Sequence, residues 1–282
     1  MDPTHADVAY GENERHRVDL YLADSGQPTP LYLHIHGGGF RRGDKSGVGQ
    51  CLVNGLAESG ISIASMNYRF SGTNPFPASF EDGVRAIQFL RYKADEYNLD
   101  RERFAAGGGS AGGGITFYVG YKPDRSDPNS TDPVCRESSL LQCIAANDTQ
   151  SSYDCNYIKT IISGLAYRNT ALLELFQVTT DEFDTDRAIE QFYSSSALNH
   201  VTTDAPPTCV SFFRFDLQMT DNLSSGDGIH HPIFGRVLKE RMDELGVRCD
   251  IYYREDLGDM DEGEAKAALA DKRMIFLREH LL

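Results

Sequence analysis

The stretch with the clearest chemical potential is Gly107-Gly108-Gly109-Ser110-Ala111-Gly112-Gly113. Within it, Gly108 to Gly112 fits G-x-S-x-G, the pattern of a serine held on a sharp strand-to-helix turn. A hydroxyl on such a turn projects from a sheet edge, where it can attack a carbonyl carbon. Side chains at 108 or 112 would meet neighbouring backbone, and glycine removes them. Ala111 opens the following helix, so its amide faces whatever Ser110 attacks. A glycine-rich turn with an incidental serine is the plain alternative, and five small residues alone do not exclude it.

A second stretch shifts that balance. His36-Gly37-Gly38-Gly39-Phe40 follows the apolar run Leu31 to Ile35. Successive glycines free their amides to face an anionic atom. HGGG upstream of G-x-S-x-G is the pairing that supplies an oxyanion hole, here Gly38 and Gly39 together with Ala111. The chemistry indicated is acyl transfer on Ser110. That route requires no metal and no organic cofactor.

These motifs need elements to hold them. Arg17 to Leu22 alternates polar and apolar residues, as a half-buried strand does. Strands are also expected over 31–35, 61–66, 103–106, 144–146, 208–213 and 249–253. Helical spacing falls over 49–58, 79–97, 115–121, 234–245 and 265–280, with Gly60 and Gly246 as stops. Strands separated by helices predict a mainly parallel sheet covered on both faces. In such sheets ligands bind beyond the carboxyl ends of the strands, and both glycine motifs lie there. Residues 151–204 carry helix-like pieces at 157–162, 171–176 and 186–193, joined by polar turns. They form either a cap over the site or surface helices. Asp216 to His231 reads as a long polar loop.

The chain has 282 residues, long enough for one large α/β domain. Its net charge of −15 disfavours nucleic acid and anionic membranes. No apolar run reaches membrane-spanning length, and no N-terminal signal pattern is present, which leaves the compartment open between cytoplasm and export. Oligomeric state is not readable. Six cysteines show no C-x-x-C spacing, which argues against zinc. Cys209 and Cys249 are expected as buried thiols, and a disulfide among Cys135, Cys143 and Cys155 is open.

The order HGGGFRRGDK, NYR, PFPASFEDGVRAIQFLR and GGGSAGG resembles the α/β-hydrolase esterases, in the carboxylesterase, hormone-sensitive-lipase-like and BD-FAE-like branch. The resemblance runs from about Val18 to Gly120. It implies the α/β-hydrolase fold and a serine carboxylesterase acting on small-molecule esters. It also implies the order serine, acid, histidine, with the acid after the next-to-last strand and the histidine after the last. Asp216, Asp221 and Asp227 are candidate acids, and the usual distance to the glycine at 246 favours Asp227.

The histidine breaks the pattern. Leu257-Gly258-Asp259-Met260-Asp261 follows the last strand, so Asp259 stands in the histidine slot. Three readings stay open. His231, or its neighbour His230, supplies the imidazole from the loop that carries Asp227. Alternatively Asp259 is the base, although an ordinary aspartate at about 3.9 is far from the value near 7 that suits the task. Or the site binds a ligand without turnover. Amide or formamide cleavage by the same serine is chemically adjacent. His34 is expected in the core, and His36, Tyr68 and Arg69 as supports of the glycine loop.

Overall fold

A computed structural model describes residues 1–282. One eight-stranded sheet runs in the order β1-β2-β4-β3-β5-β6-β7-β8. The strands are β1 (His5–Ala9), β2 (Arg17–Tyr21), β3 (Thr29–Ile35), β4 (Ser62–Met66), β5 (Leu99–Gly108), β6 (Cys143–Asn147), β7 (Thr208–Phe212) and β8 (Cys249–Tyr253). From β4 across to β8 the pairing is parallel, and β1 and β2 add an antiparallel edge. This is the α/β-hydrolase fold expected from the sequence.

The helices are α1 (Gln50–Ala57), α2 (Ala78–Tyr92), α3 (Ala111–Tyr121), α4 (Cys155–Ile161), α5 (Thr170–Phe176), α6 (Asp186–Ser195), α7 (Ser225–Gly228), α8 (Ile233–Glu244) and α9 (Glu262–Leu281). Alternation along β3 shows how they cover the sheet. Leu31, Leu33 and Ile35 pack into the larger core with Phe80, Ile87 and Ile115 from α2 and α3. Tyr32 faces the other way, into the core built by Val53 and Leu56 of α1 and Leu277 of α9. A sheet buried on both faces needs such near-continuous apolar strands.

Register places the two glycine motifs side by side. In the parallel β3–β5 pair, His34 lies opposite Gly107 and Ile35 opposite Gly108. The chain therefore leaves β3 into His36–Phe40 beside the point where it leaves β5 into Ser110.

Two elements had no expectation: the edge strand β1, which is largely exposed, and the one-turn helix α7 inside the polar loop. The cysteines also differ from the open reading. All six are free; Cys143 opens the core strand β6, and Cys155 is buried at the start of α4. Burial pushes the thiols of Cys143, Cys155, Cys209 and Cys249 up to about 12, so they remain protonated and unreactive. No helix is long and apolar enough to cross a membrane.

Candidate active site

Ser110 sits between β5 and α3 with φ 51° and ψ −120°, a backbone region a serine adopts only under constraint. The constraint is visible. Its amide donates to the Asn147 carbonyl at 3.0 Å, and its own carbonyl accepts from the Thr149 hydroxyl at 2.9 Å. A Cβ on either Gly108 or Gly112 would overlap the Ile35 carbonyl oxygen. Close packing of this turn on the end of β3 is thus possible only with glycine at both places.

The loop after β3 is held from behind. Tyr68 stacks on the His36 ring with centroids 4.3 Å apart, and its hydroxyl donates to the His36 carbonyl at 3.0 Å. His36 Nδ1 donates to the Gly37 carbonyl at 2.7 Å. Burial lowers the His36 pKa, and burial takes His34 down to about 4, so both rings are neutral at physiological pH. Gly38 has φ 114°, and a Cβ there would overlap the Arg42 carbonyl. The Gly38 and Gly39 amides donate to no acceptor within the protein. Arg69 serves a different support: its guanidinium reaches the buried Asp82 at 2.6 Å, which also meets His16 at 3.0 Å.

Facing Ser110 is His230. Its Nε2 lies 2.9 Å from the Ser110 Oγ, and its Nδ1 lies 3.0 Å from the Gly226 carbonyl oxygen. A carbonyl only accepts, so Nδ1 carries the hydrogen. In the neutral ring Nε2 is then bare and able to accept from the serine hydroxyl. The spacing has a local cause: the turn continues past α7, with the His230 amide bonded to the Asp227 carbonyl at 3.2 Å, which brings the ring back over the Gly226 carbonyl four residues earlier.

His231, the first choice from sequence, is placed elsewhere. It is 1% exposed; its Nε2 meets the Leu217 carbonyl at 2.9 Å and Asp216 at 3.2 Å, and its Nδ1 accepts from the Ile233 amide at 3.1 Å. The expected acid Asp227 is placed away from the imidazole too. Its carboxylate accepts from the Ser224 hydroxyl at 2.7 Å and lies 3.7 Å from Arg214, without touching His230. Asp259 is exposed in the turn before α9. Arg254 holds that turn through the carbonyls of Gly258 and Met260, and Asp261 caps α9 immediately afterwards. No hydrogen bond joins Asp259 to Ser110 or His230.

Sequence reasoning missed the Gly226 carbonyl and the Thr149 brace. A signal for the first was present. Ser224-Ser225-Gly226-Asp227 is the S-x-x-D start of a helical turn, and Ser224 does cap it by accepting from the Asp227 amide at 3.1 Å.

Residues 151–204 contribute in two ways. Asn169, Ala171 and Leu172 line a pocket of about 310 Å³ opening onto Ser110 and His230. The same region docks the histidine turn: Leu165 donates to the Leu223 carbonyl at 3.2 Å, and Asn169 to the Ser225 carbonyl at 3.3 Å.

A sequence model of the BD-FAE family matches residues 18–218. The chain belongs to that family. In this BD-FAE protein the matched span holds Ser110 and the glycine loop but ends before His230. "Probable carboxylesterase 6" of Arabidopsis thaliana is 42% identical over 219 residues, covering 74% of this chain and 62% of its own. "Probable carboxylic ester hydrolase LipM" of Mycobacterium tuberculosis is 27% identical over 217 residues, covering 74% of this chain and 47% of its own. The chain therefore spans about half to three-fifths of the length of these curated relatives. A solved truncated carbohydrate esterase from gut microbiota superposes with TM-score 0.77 at 17% identity, covering 98% of this chain and 95% of its own. At that identity the likeness speaks for the fold.

Proposed function

We propose that this BD-FAE protein is a serine carboxylesterase for small esters, working with a Ser110–His230 pair. The observation that carries the reading is the 2.9 Å contact between the Ser110 hydroxyl and His230 Nε2. His230 takes the hydroxyl proton as Ser110 Oγ bonds to the acyl carbon. The carbonyl oxygen becomes an oxyanion, for which the unpartnered amides of Gly38 and Gly39 and the helix-opening amide of Ala111 are the available donors. The imidazolium then protonates the departing alcohol. Water, deprotonated by the same ring, cleaves the acyl-enzyme and restores both groups.

In place of a carboxylate, the main-chain oxygen of Gly226 orients the base. It selects the correct tautomer but stabilises the imidazolium less than a full negative charge does. The names of the esterase relatives support the reaction class. The pocket of about 310 Å³ lies at the small end of ligand sites, which favours short acyl groups.

The test is hydrolysis of 4-nitrophenyl acetate by wild type, Ser110→Ala and His230→Ala. Ser110→Ala is expected to lose at least about 10⁴-fold in kcat, and His230→Ala about 10³-fold or more. Equal rates for wild type and Ser110→Ala overturn the enzyme reading and leave a binding protein on the same scaffold.

A further inference from the structure

We propose that the pocket at Ser110 recognises an ester that also carries a carboxylate, with Arg42 as the principal recognition residue and Arg41 beside it. The proposal deepens the esterase reading and rests on it. Its starting point is a local reversal of charge. The chain has 42 acidic and 27 basic residues, so an average patch of its surface is acidic. Yet the pocket wall includes Arg41 and Arg42 and not one aspartate or glutamate.

Arg42 has no carboxylate oxygen within 4.0 Å, whereas eleven of the chain's twenty arginines have one. Arg41 is partly compensated. It donates to the Thr170 hydroxyl at 3.2 Å and lies 3.8 Å from Glu174, whose other oxygen accepts from Ser71 at 2.8 Å. The two stems begin at the oxyanion loop itself. Arg42 Cγ lies 3.1 Å from where a Cβ on Gly38 would stand, and Arg41 Nε 3.9 Å from the corresponding point on Gly39. A charge recognised there is close to the acyl carbon, which suits a short ester rather than a remote anchor.

Arg214, across the site, is a weaker candidate. It already faces Asp227 at 3.7 Å, and it shares its opening with Asp148, which repels an anion. The guanidinium fork matches a carboxylate in two parallel hydrogen bonds, and Arg42 has all its donors free for that geometry. Because Arg41 and Arg42 are exposed, the attraction is screened by salt.

Two substrate pairs test this and locate the charge. 4-Nitrophenyl hydrogen glutarate against 4-nitrophenyl pentanoate puts the carboxylate on the acyl side. 3-Acetoxybenzoate against 3-acetoxybenzamide puts it on the alcohol side. The readout is the anionic-to-neutral ratio of kcat/KM, in wild type and Arg42→Glu, so that intrinsic ester reactivity cancels. In at least one pair the ratio is expected to fall about tenfold or more in Arg42→Glu, and to shrink in wild type as salt rises. The pair that responds identifies the side.

A binding measurement separates this proposal from the reaction itself. Ser110→Ala is expected to bind monoethyl glutarate by calorimetry, about tenfold more weakly when Arg42→Glu is added. Arg42-dependent binding without turnover by wild type supports the anion site and overturns only the esterase reading. Ratios indifferent to Arg42 in both pairs, or binding indifferent to it, overturn the anion site.

Discussion

The Ser110 turn and the His230 turn meet across 2.9 Å, but they are built by opposite means. The serine is fixed by tertiary packing. Its bend is clamped by the Asn147 carbonyl and the Thr149 hydroxyl, and glycines let it press on the Ile35 carbonyl. The histidine is fixed by a local turn. Ser224 caps it, Asp227 ties back to Ser224, and the Gly226 carbonyl receives the ring. The dock onto residues 165 and 169, the Gln150 amide bonded to the Ile229 carbonyl, and the packing of Gly228 against Ala166 tie that turn to the rest. The first design tolerates almost no substitution. The second depends on the path of a short stretch of backbone.

Substitutions can sharpen that contrast. Outside the Ser110–His230 pair, Gly38→Ala should be the most damaging to turnover, because it needs a positive φ and displaces the Arg42 carbonyl; a loss of about 10²–10³ in kcat is expected, with KM nearly unchanged. Recovery of normal kcat would show that the glycine loop yields as readily as the histidine turn. His231→Ala should act on stability. Loss of a buried ring bonded to Leu217 and Ile233 is expected to lower the unfolding free energy by about 2–3 kcal/mol, read from urea titration. A His231 variant that is fully stable but inactive would reverse the assignment of the two imidazoles.

Asp227→Asn is expected to change kcat by less than about fivefold, whereas loss of an orienting acid typically costs about 10⁴. The smallest effect concerns the segment behind the glycine loop. Burial pushes the Asp44 carboxyl up, but the Ser46 amide and the Asn67 side chain outweigh it and hold it down to about 2. A lowered folded value means that Asp44 stabilises fully above the unfolded value of about 3.9 and loses that contribution as pH falls through about 2. Asp44→Asn should therefore flatten the fall of the urea midpoint between about pH 4 and 2 and leave the slope above pH 5 unchanged. An unchanged acid slope would remove Asp44 from that account.

The same contrast explains what could be read in advance. Ser110, Gly38 and Gly39 announce themselves because packing demands glycine there, and few residue patterns meet that demand. The alternating apolar strands and the helical spacing of α2 and α8 are likewise written in side-chain type. The proposed base was harder to place. Adjacent His230 and His231 both follow the end of α7, and they differ only in which way each ring leaves the chain there: His230 toward Ser110, His231 toward the Leu217 carbonyl. The proposed orienting group was out of reach for another reason: a carbonyl belongs to every residue and leaves no trace in composition. β1 was missed because an exposed edge strand lacks the apolar alternation that marks buried ones.

The Gly226 contact has an evolutionary consequence. Since the acceptor belongs to the main chain, changing residue type at 226 need not delete it, and mutation can disturb it only by bending the chain. Residues 224–230 thus carry their own cap, acceptor and imidazole within seven positions. Another sheet of this kind could gain a proton acceptor by inheriting that single loop, without first evolving a distant acid to match.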